Sequence, residues 1–133
     1  MKALIPWVHA KNCQDETAGL LRYVGFDVDE VLLGELLEGK HSILDYDLVF
    51  DSGGFGHGDH IRSGIRTAIK LKRLARDWEK FYDERKLFVG VCNGFQDMVQ
   101  GGFLTTQEEA ISSQEFTLLS NEFGPYRVHD VYL

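Results

Sequence analysis

The fold is decided by the stretch Leu87-Phe88-Val89-Gly90-Val91-Cys92-Asn93-Gly94, in which an apolar run leads through a cysteine into a segment of helical pattern. Gly-x-Cys-x-Gly is the cysteine form of the nucleophile elbow, a strand-to-helix turn so tight that small residues must flank the nucleophile. We expect Cys92 to be exposed in strained backbone geometry, with the N–H groups at the start of the helix favouring its thiolate. The alternative is a buried structural cysteine followed by a glycine-bounded turn.

Outward from this turn, short apolar runs alternate with amphipathic segments. Strands are predicted at residues 3–8, 26–32, 47–50 and 87–91, with later strands at 115–119 and 126–133. Helices are predicted at 17–24, 33–38, 61–76 and 94–101. In the helix 61–76 we expect the buried face to carry Ile61, Ile65, Ala68 and Ile69. The alternation predicts an α/β domain with a parallel sheet that is covered on both faces.

Ligands of such sheets bind beyond the carboxyl ends of the strands, which here are the loops 9–15, 52–60 and 92–95. The second loop is rich in glycine, and its backbone N–H groups can face a developing negative charge. It is not a dinucleotide fingerprint, because Asp59 stands where the last glycine belongs. His57, Asp59 and His60 have the donor types for zinc or iron, but no further cluster completes a coordination shell, so we predict no metal.

Composition limits the function classes. The chain has 133 residues, which predicts one domain over residues 1–133. With 14 Lys+Arg against 21 Asp+Glu the net charge is −7, which argues against nucleic acid and anionic membranes as partners. The sequence has no apolar run long enough to span a bilayer, and its two cysteines suit a reducing compartment. We therefore predict a cytoplasmic protein.

Four motifs occur in order along almost the whole chain: Asn12-Cys13-x-x-Glu16-Thr17, Gly53-Gly54-Phe55-x-x-Gly58-Asp59, Gly90-Val91-Cys92-Asn93-Gly94-Phe95-Gln96 and Ser120-Asn121-Glu122-x-Gly124. Together they resemble the glutaminase subunits of phosphoribosylformylglycinamidine synthase, which are class I glutamine amidotransferases of purine biosynthesis. The resemblance implies a flavodoxin-like, doubly wound parallel sheet in three layers, α/β/α.

The resemblance also implies a mechanism. Cys92 would attack the side-chain amide carbon of glutamine, form a thioester and release ammonia. The backbone N–H groups of Asn93, Gly53 and Gly54 would hold the tetrahedral oxyanion, and one such donor is typically worth ~3–4 kcal/mol.

By the same resemblance, Gln96, Phe55 and the backbone around Asn121 would bind glutamine. Ammonia would pass to the synthetase subunit of phosphoribosylformylglycinamidine synthase. We expect no cofactor in this chain, because ATP and magnesium would bind only that synthetase partner.

The sequence departs from the family at the catalytic base. The family uses a histidine oriented by a glutamate, downstream of the Asn-x-x-Gly segment, and we expect this pair to be absent. General acid–base assistance is commonly worth ~10²–10⁴ in rate, so impaired activity is expected. His57 and His9 are the candidate substitutes, since both are predicted on loops at the same sheet edge as Cys92.

Three hypotheses follow. The chain is part of a glutaminase whose remaining segment is covalent or supplied by another chain, or it is an impaired relative that acts as a binding or regulatory protein. Alternatively, it is a different cysteine hydrolase with a histidine recruited from loop 52–60. A shortened chain would expose an apolar sheet edge, which predicts a homodimer or a stable hetero-complex.

Overall fold

The structure, a computed structural model, describes residues 1–104 and 115–119. Its sheet has four parallel strands in the order β2-β1-β3-β4, formed by β1 (Lys2–Trp7), β2 (Asp27–Leu32), β3 (Leu48–Asp51) and β4 (Leu87–Gly90). The α-helices of this part are α1 (Gln14–Tyr23), α2 (Leu33–Leu37), α3 (Ile65–Lys72), α4 (Ala75–Asp83) and α5 (Asn93–Gly101), and short 3₁₀ helices are formed by Ile43–Asp45 and Gly56–Asp59. This strand order is that of a flavodoxin-like sheet, and it confirms the predicted α/β class.

Side-chain alternation along β1 separates the core into two layers. Ala3 and Ile5 face α1, where they pack with the buried Ala18 and Leu21. Leu4 belongs to the larger layer on the opposite face, together with residues of α2, α3, α4 and α5. The central strand is therefore buried on both faces, which explains why its sequence is an almost continuous apolar run.

Trp78 is the centre of the larger layer. Its ring is fully buried, stacks on Phe88 with 4.5 Å between centroids, and contacts Phe81 and Phe103 at 5.4 and 5.2 Å. The indole Nε1–H donates to the main-chain oxygen of Leu71 at 3.1 Å, which satisfies its one polar group. Through these contacts Trp78 connects α3, α4, β4 and the end of α5.

The prediction for residues 61–76 is wrong in two respects. Helix α3 begins only at Ile65, because residues 61–64 form an irregular turn in which Ile61 has φ of 76° and is 91% exposed. A Cβ on Gly64 would lie 2.6–2.8 Å from the main chain of α5, so this side of α3 faces α5. The buried face accordingly carries Thr67, Ala68 and Leu71, while Ile69 is exposed. The separate helix α4 was not predicted.

The later strands are not confirmed. Residues 115–119 are irregular, and the strand predicted there is wrong; their apolar side chains Phe116 and Leu119 are exposed. β-propensity alone does not make a strand, because a strand needs a neighbour with which to pair. The strand predicted at 126–133 lies outside the described residues. Within the described ranges, no helix is long and apolar enough to cross a membrane.

We expect Trp78→Ala to lower the free energy of unfolding by ~3–5 kcal/mol, since it removes a large buried ring from a close-packed layer. Tyr23→Ala is the matched control, because Tyr23 is 89% exposed on α1 and its loss should change stability by no more than ~0.5 kcal/mol. Urea denaturation followed by circular dichroism measures both values. Equal effects of the two changes would contradict this account of the core.

Candidate active site

Cys92 lies at the junction of β4 and α5 with φ of 55° and ψ of −112°, outside the usual regions for a residue with a side chain. The cysteine is exposed, which excludes the alternative of a buried structural thiol. A Cβ on Gly90 would lie 2.6 Å from the carbonyl oxygen of Gly94 and from Met98 Sδ. A Cβ on Gly94 would overlap the main-chain carbonyl of Asp51. The flanking glycines are thus required sterically, as in a nucleophile elbow.

The glycine-rich loop after β3 lies against this cysteine. A Cβ placed on Gly53 would be 3.4 Å from Cys92 Cβ, so the two backbones approach closely. Gly54 has φ of 135° and forms an antiparallel bridge with Lys11. Within the described residues, no main-chain hydrogen bond uses the N–H groups of Asn93, Gly53 or Gly54. Their role as oxyanion donors stays a prediction.

The side chain of Asn93 connects the glycine-rich loop to α5. Its Oδ1 accepts a hydrogen bond from the N–H of Gly56 at 3.0 Å. Its Nδ2 donates to Asp59 Oδ1 at 3.1 Å and to Gln96 Oε1 at 3.0 Å. Asn93 is 1% exposed, so this network fixes the loop relative to the elbow. The sequence analysis considered Asn93 for its backbone and Asp59 as a motif residue and possible metal donor, but it did not predict the hydrogen bond between their side chains.

Of the residues predicted to bind substrate, Gln96 lines a cavity and Phe55 is exposed. Gln96 lies one helical turn beyond Cys92 and lines a cavity of about 440 Å³ together with Arg62, Ser63, Gln100 and Leu118. Phe55 is 62% exposed, and its N–H donates to the carbonyl oxygen of Ala10 at 3.0 Å. Asn121 lies outside the described residues.

A buried ion cluster lies beneath the elbow. Lys11 Nζ donates to Asp51 Oδ1 and, at 2.8 Å, to Asp97 Oδ2, and the three side chains are inaccessible to solvent. These residues come from the loop after β1, the end of β3 and helix α5. Each of these segments is directly connected to the site. Lys11 forms a backbone bridge with Gly54, and Asp51 immediately precedes the glycine-rich loop. Asp97 lies on α5, the helix that follows Cys92. The cluster therefore holds the three segments together.

The charges in this cluster are unequal, with one cation for two carboxyl groups. Burial raises the pKa of Asp97, and the neighbouring Asp51 raises it further, to about 8, against the opposing effect of Lys11. Burial alone would lower the pKa of Lys11, but the two carboxyl groups outweigh it and the pKa of Lys11 is raised. The cluster is therefore most stable with Lys11 charged and one proton on Asp97.

His9 and His57, the candidate substitute bases, are brought together with each other rather than with the cysteine. Both line a cavity of about 160 Å³ at the ends of β1 and β2, and His57 Nε2 lies 3.2 Å from Lys70 Nζ. In the described part neither forms a hydrogen bond with Cys92, so their role as base stays a prediction. Among residues 1–104 and 115–119, no group of three or more His, Cys, Asp or Glu side chains is placed to hold a metal ion.

The whole chain, residues 1–133, matches the CobB/CobQ-like glutamine amidotransferase domain. The chain therefore belongs to this glutamine amidotransferase family, which is an enzyme family. Among its relatives are subunits PurQ of phosphoribosylformylglycinamidine synthase: that of Methanococcus maripaludis is 36% identical over 133 residues, covering 99% of this chain and 49% of that protein. The subunit of Picrophilus torridus is 32% identical over 132 residues, covering 99% and 51%.

A solved structure supports the same relationship. One chain in the structure of PurLQS from Thermotoga maritima matches with a TM-score of 0.66 and 29% identity, over 78% of this chain and 45% of that chain. The chain thus spans about half the length of the curated relatives that it matches.

We expect Gly94→Ala to destabilise the protein by ~1–3 kcal/mol, because its methyl group has no room against the carbonyl of Asp51. Gly19→Ala is the matched control, since a Cβ on this helical glycine meets nothing within 4 Å. That change should stabilise the protein by ~0.5–1 kcal/mol. Denaturant unfolding of both variants gives the comparison, and a Gly94→Ala protein as stable as the wild type would contradict the tight elbow.

The raised pKa of Asp97 predicts a pH-dependent stability difference. The unfolded state ionises this group near its ordinary value of 3.8, whereas the folded state resists ionisation until about pH 8. The stabilising contribution of Asp97 is therefore complete below pH 4 and lost as the pH rises to 8. We expect Asp97→Asn to gain stability relative to the wild type over this window, by more than the ~1.4 kcal/mol of one pKa unit.

Urea unfolding at pH 4, 6, 8 and 9 measures this difference. The exposed Asp83→Asn is the control and should follow the wild type across the series. If Asp97→Asn also follows the wild type, Asp97 does not retain its proton in the fold.

Proposed function

We propose that this chain supplies the nucleophile and oxyanion site of a glutaminase, which releases ammonia from glutamine through a thioester on Cys92. The observation that carries the proposal is the exposed, strained cysteine at the β4–α5 junction, with Gly53 packed beside it. The thiolate would add to the amide carbon, and the amide oxygen would take the negative charge. Protonation of the departing nitrogen would release ammonia, and water would then hydrolyse the thioester to glutamate.

The oxyanion would be stabilised by the N–H groups of Asn93, Gly53 and Gly54. Asn93 stands at the start of α5, where the helix dipole also favours negative charge. The loop that carries the glycines is fixed to α5 by the Asn93 side chain, so the donors are positioned before substrate arrives.

The glutamine main chain would occupy the cavity lined by Gln96 and Arg62, one helical turn from the nucleophile. Arg62 would pair with the substrate carboxylate, because guanidinium and carboxylate match in charge and geometry. Gln96 would supply an uncharged hydrogen-bonding group at the same wall. Free ammonia is a product that another active site can use, and the PurQ relatives support delivery to the synthetase subunit of phosphoribosylformylglycinamidine synthase in purine biosynthesis.

The test is covalent labelling by a diazo-ketone analogue of glutamine. We expect intact-mass and peptide analysis to show one adduct on Cys92 of the wild-type chain. Cys92→Ala should abolish the adduct, because the analogue needs a nucleophile held beside the oxyanion donors. Cys13→Ala is the matched control and should retain it, since Cys13 is the other free thiol of the described chain, half-buried at the start of α1.

Glutamine should protect Cys92 from the label, and asparagine, which is one methylene shorter, should protect much less. An adduct on Cys13, or labelling that glutamine does not slow, would contradict the proposal. A folded chain that is not labelled and releases no ammonia, with or without a synthetase partner, would favour the binding or regulatory alternative.

A further inference from the structure

We propose that the cavity formed by His9, His57 and Lys70 is a binding site for a phosphate group, separate from the cysteine. It measures about 160 Å³ and is also lined by Val8, Leu32 and Gly34. Cys92 and Gln96 are not among its lining residues, so it is distinct from the cavity assigned above to glutamine. The proposal does not depend on glutaminase activity.

The two histidines are held in place by the backbone. The N–H of His57 donates to the carbonyl oxygen of His9 at 2.9 Å, and the N–H of Phe55 donates to that of Ala10 at 3.0 Å. Together with the Lys11–Gly54 bridge, these bonds fasten the loop after β1 to the loop after β3. The side chains of His9 and His57 therefore reach one cavity from two loops that are fixed relative to each other. Such a site needs little reorganisation before it binds a ligand.

Four basic groups act electrostatically on the ring of His57. Lys70 and Arg66 of α3 act on His57, and His9 and Lys11 act on it from the loop after β1. Burial, followed by these neighbours, lowers the pKa of His57. Within the described residues, Lys70 and Arg66 form no ion pair with a carboxylate. Lys11 is paired with Asp51 and Asp97, but Lys70 and Arg66 beside the cavity have no such partner in the part of the chain that the structure describes, and their charge favours an anion there.

The donors suit a phosphate better than a planar carboxylate. Lys70 brings an ammonium group, and His57 already lies 3.2 Å from it, so one oxyanion can contact both groups. His9 approaches from the opposite loop, and a tetrahedral phosphate can direct a further oxygen toward it. The volume of about 160 Å³ limits the ligand to a small group rather than an extended one.

Occupancy would also restrain the glycine-rich loop. His57 has φ of 56°, and Gly58 and Asp59 follow it with φ of 67° and 52°, so this part of the loop is held in a left-handed conformation. Backbone strain of this kind persists only where the surroundings enforce it. A phosphate bound to His57 and Lys70 would add such a constraint on the segment that carries Gly53 and Gly54.

The experiment is a titration of the full chain with inorganic phosphate, followed by isothermal calorimetry and by NMR of the histidine rings. We expect saturable binding and an increase in the pKa of His57, because a bound dianion favours the protonated ring. Lys70→Gln and His57→Asn should each weaken binding about tenfold or more, as loss of a charge-assisted hydrogen bond does. Asparagine is chosen at 57 because it tolerates the left-handed backbone.

Lys72→Gln is the matched control, since Lys72 belongs to the same helix but does not line the cavity, and it should bind phosphate as the wild type does. Methyl phosphate distinguishes a free phosphate site from one for phosphate esters, and binding of either supports the proposal. Equal binding of acetate, or equal losses in the Lys72 and Lys70 variants, would overturn it. Lys70→Gln changes α3 and His57→Asn changes the loop after β3, so one variant still tests the proposal if the other fails to fold.

Discussion

The close approach of α5 to the end of β3 is the constraint on which the site depends. The main chain of Gly94 lies directly against the carbonyl of Asp51, and the N–H of Val91 donates to the same carbonyl oxygen at 3.1 Å. With both contacts in place, the chain turns sharply from β4 into α5, and Cys92 at the turn has a positive φ of 55°. The same approach places Gly53 beside the cysteine. Exposure of the thiol and proximity to the backbone donors therefore follow from one packing contact.

Two charge environments surround this contact, and they differ in how their charges are balanced. Beneath the elbow, the buried side chain of charged Lys11 is matched by two carboxyl groups, of which Asp97 has a raised pKa and retains a proton. On α3, beside the cavity of His9 and His57, Lys70 and Arg66 have no carboxylate partner in the described part. The first arrangement resists change, because unpairing a buried ion is strongly unfavourable. The second arrangement can bind an anion from solution, because its positive charges have no carboxylate partner within the described residues.

What could be predicted from sequence is what local spacing determines. The glycines at positions 90 and 94 predict the tight turn directly, and the apolar run of β1 predicts a central strand. Contacts between distant segments left no such pattern: Lys11 lies 40 residues from Asp51 and 86 from Asp97. Residues 61–76 were misassigned because the isoleucines repeat at helical spacing, while the packing of Gly64 against α5 turns another face inward. The separation of α4 from α3 has no strong breaker residue to mark it.

The buried cluster of Lys11, Asp51 and Asp97 has a consequence for engineering and for divergence within the family. The three side chains occupy one solvent-free space but come from three separate segments, so Lys11 cannot be exchanged alone for an apolar residue. A chimaera that imports the loop after β1 from a relative with an apolar side chain at position 11 would leave the carboxyl groups of Asp51 and Asp97 buried without their cation. A chimaera that replaces this loop must therefore replace the end of β3 and helix α5 with it. In evolution, too, loss of Lys11 requires changes at Asp51 and Asp97.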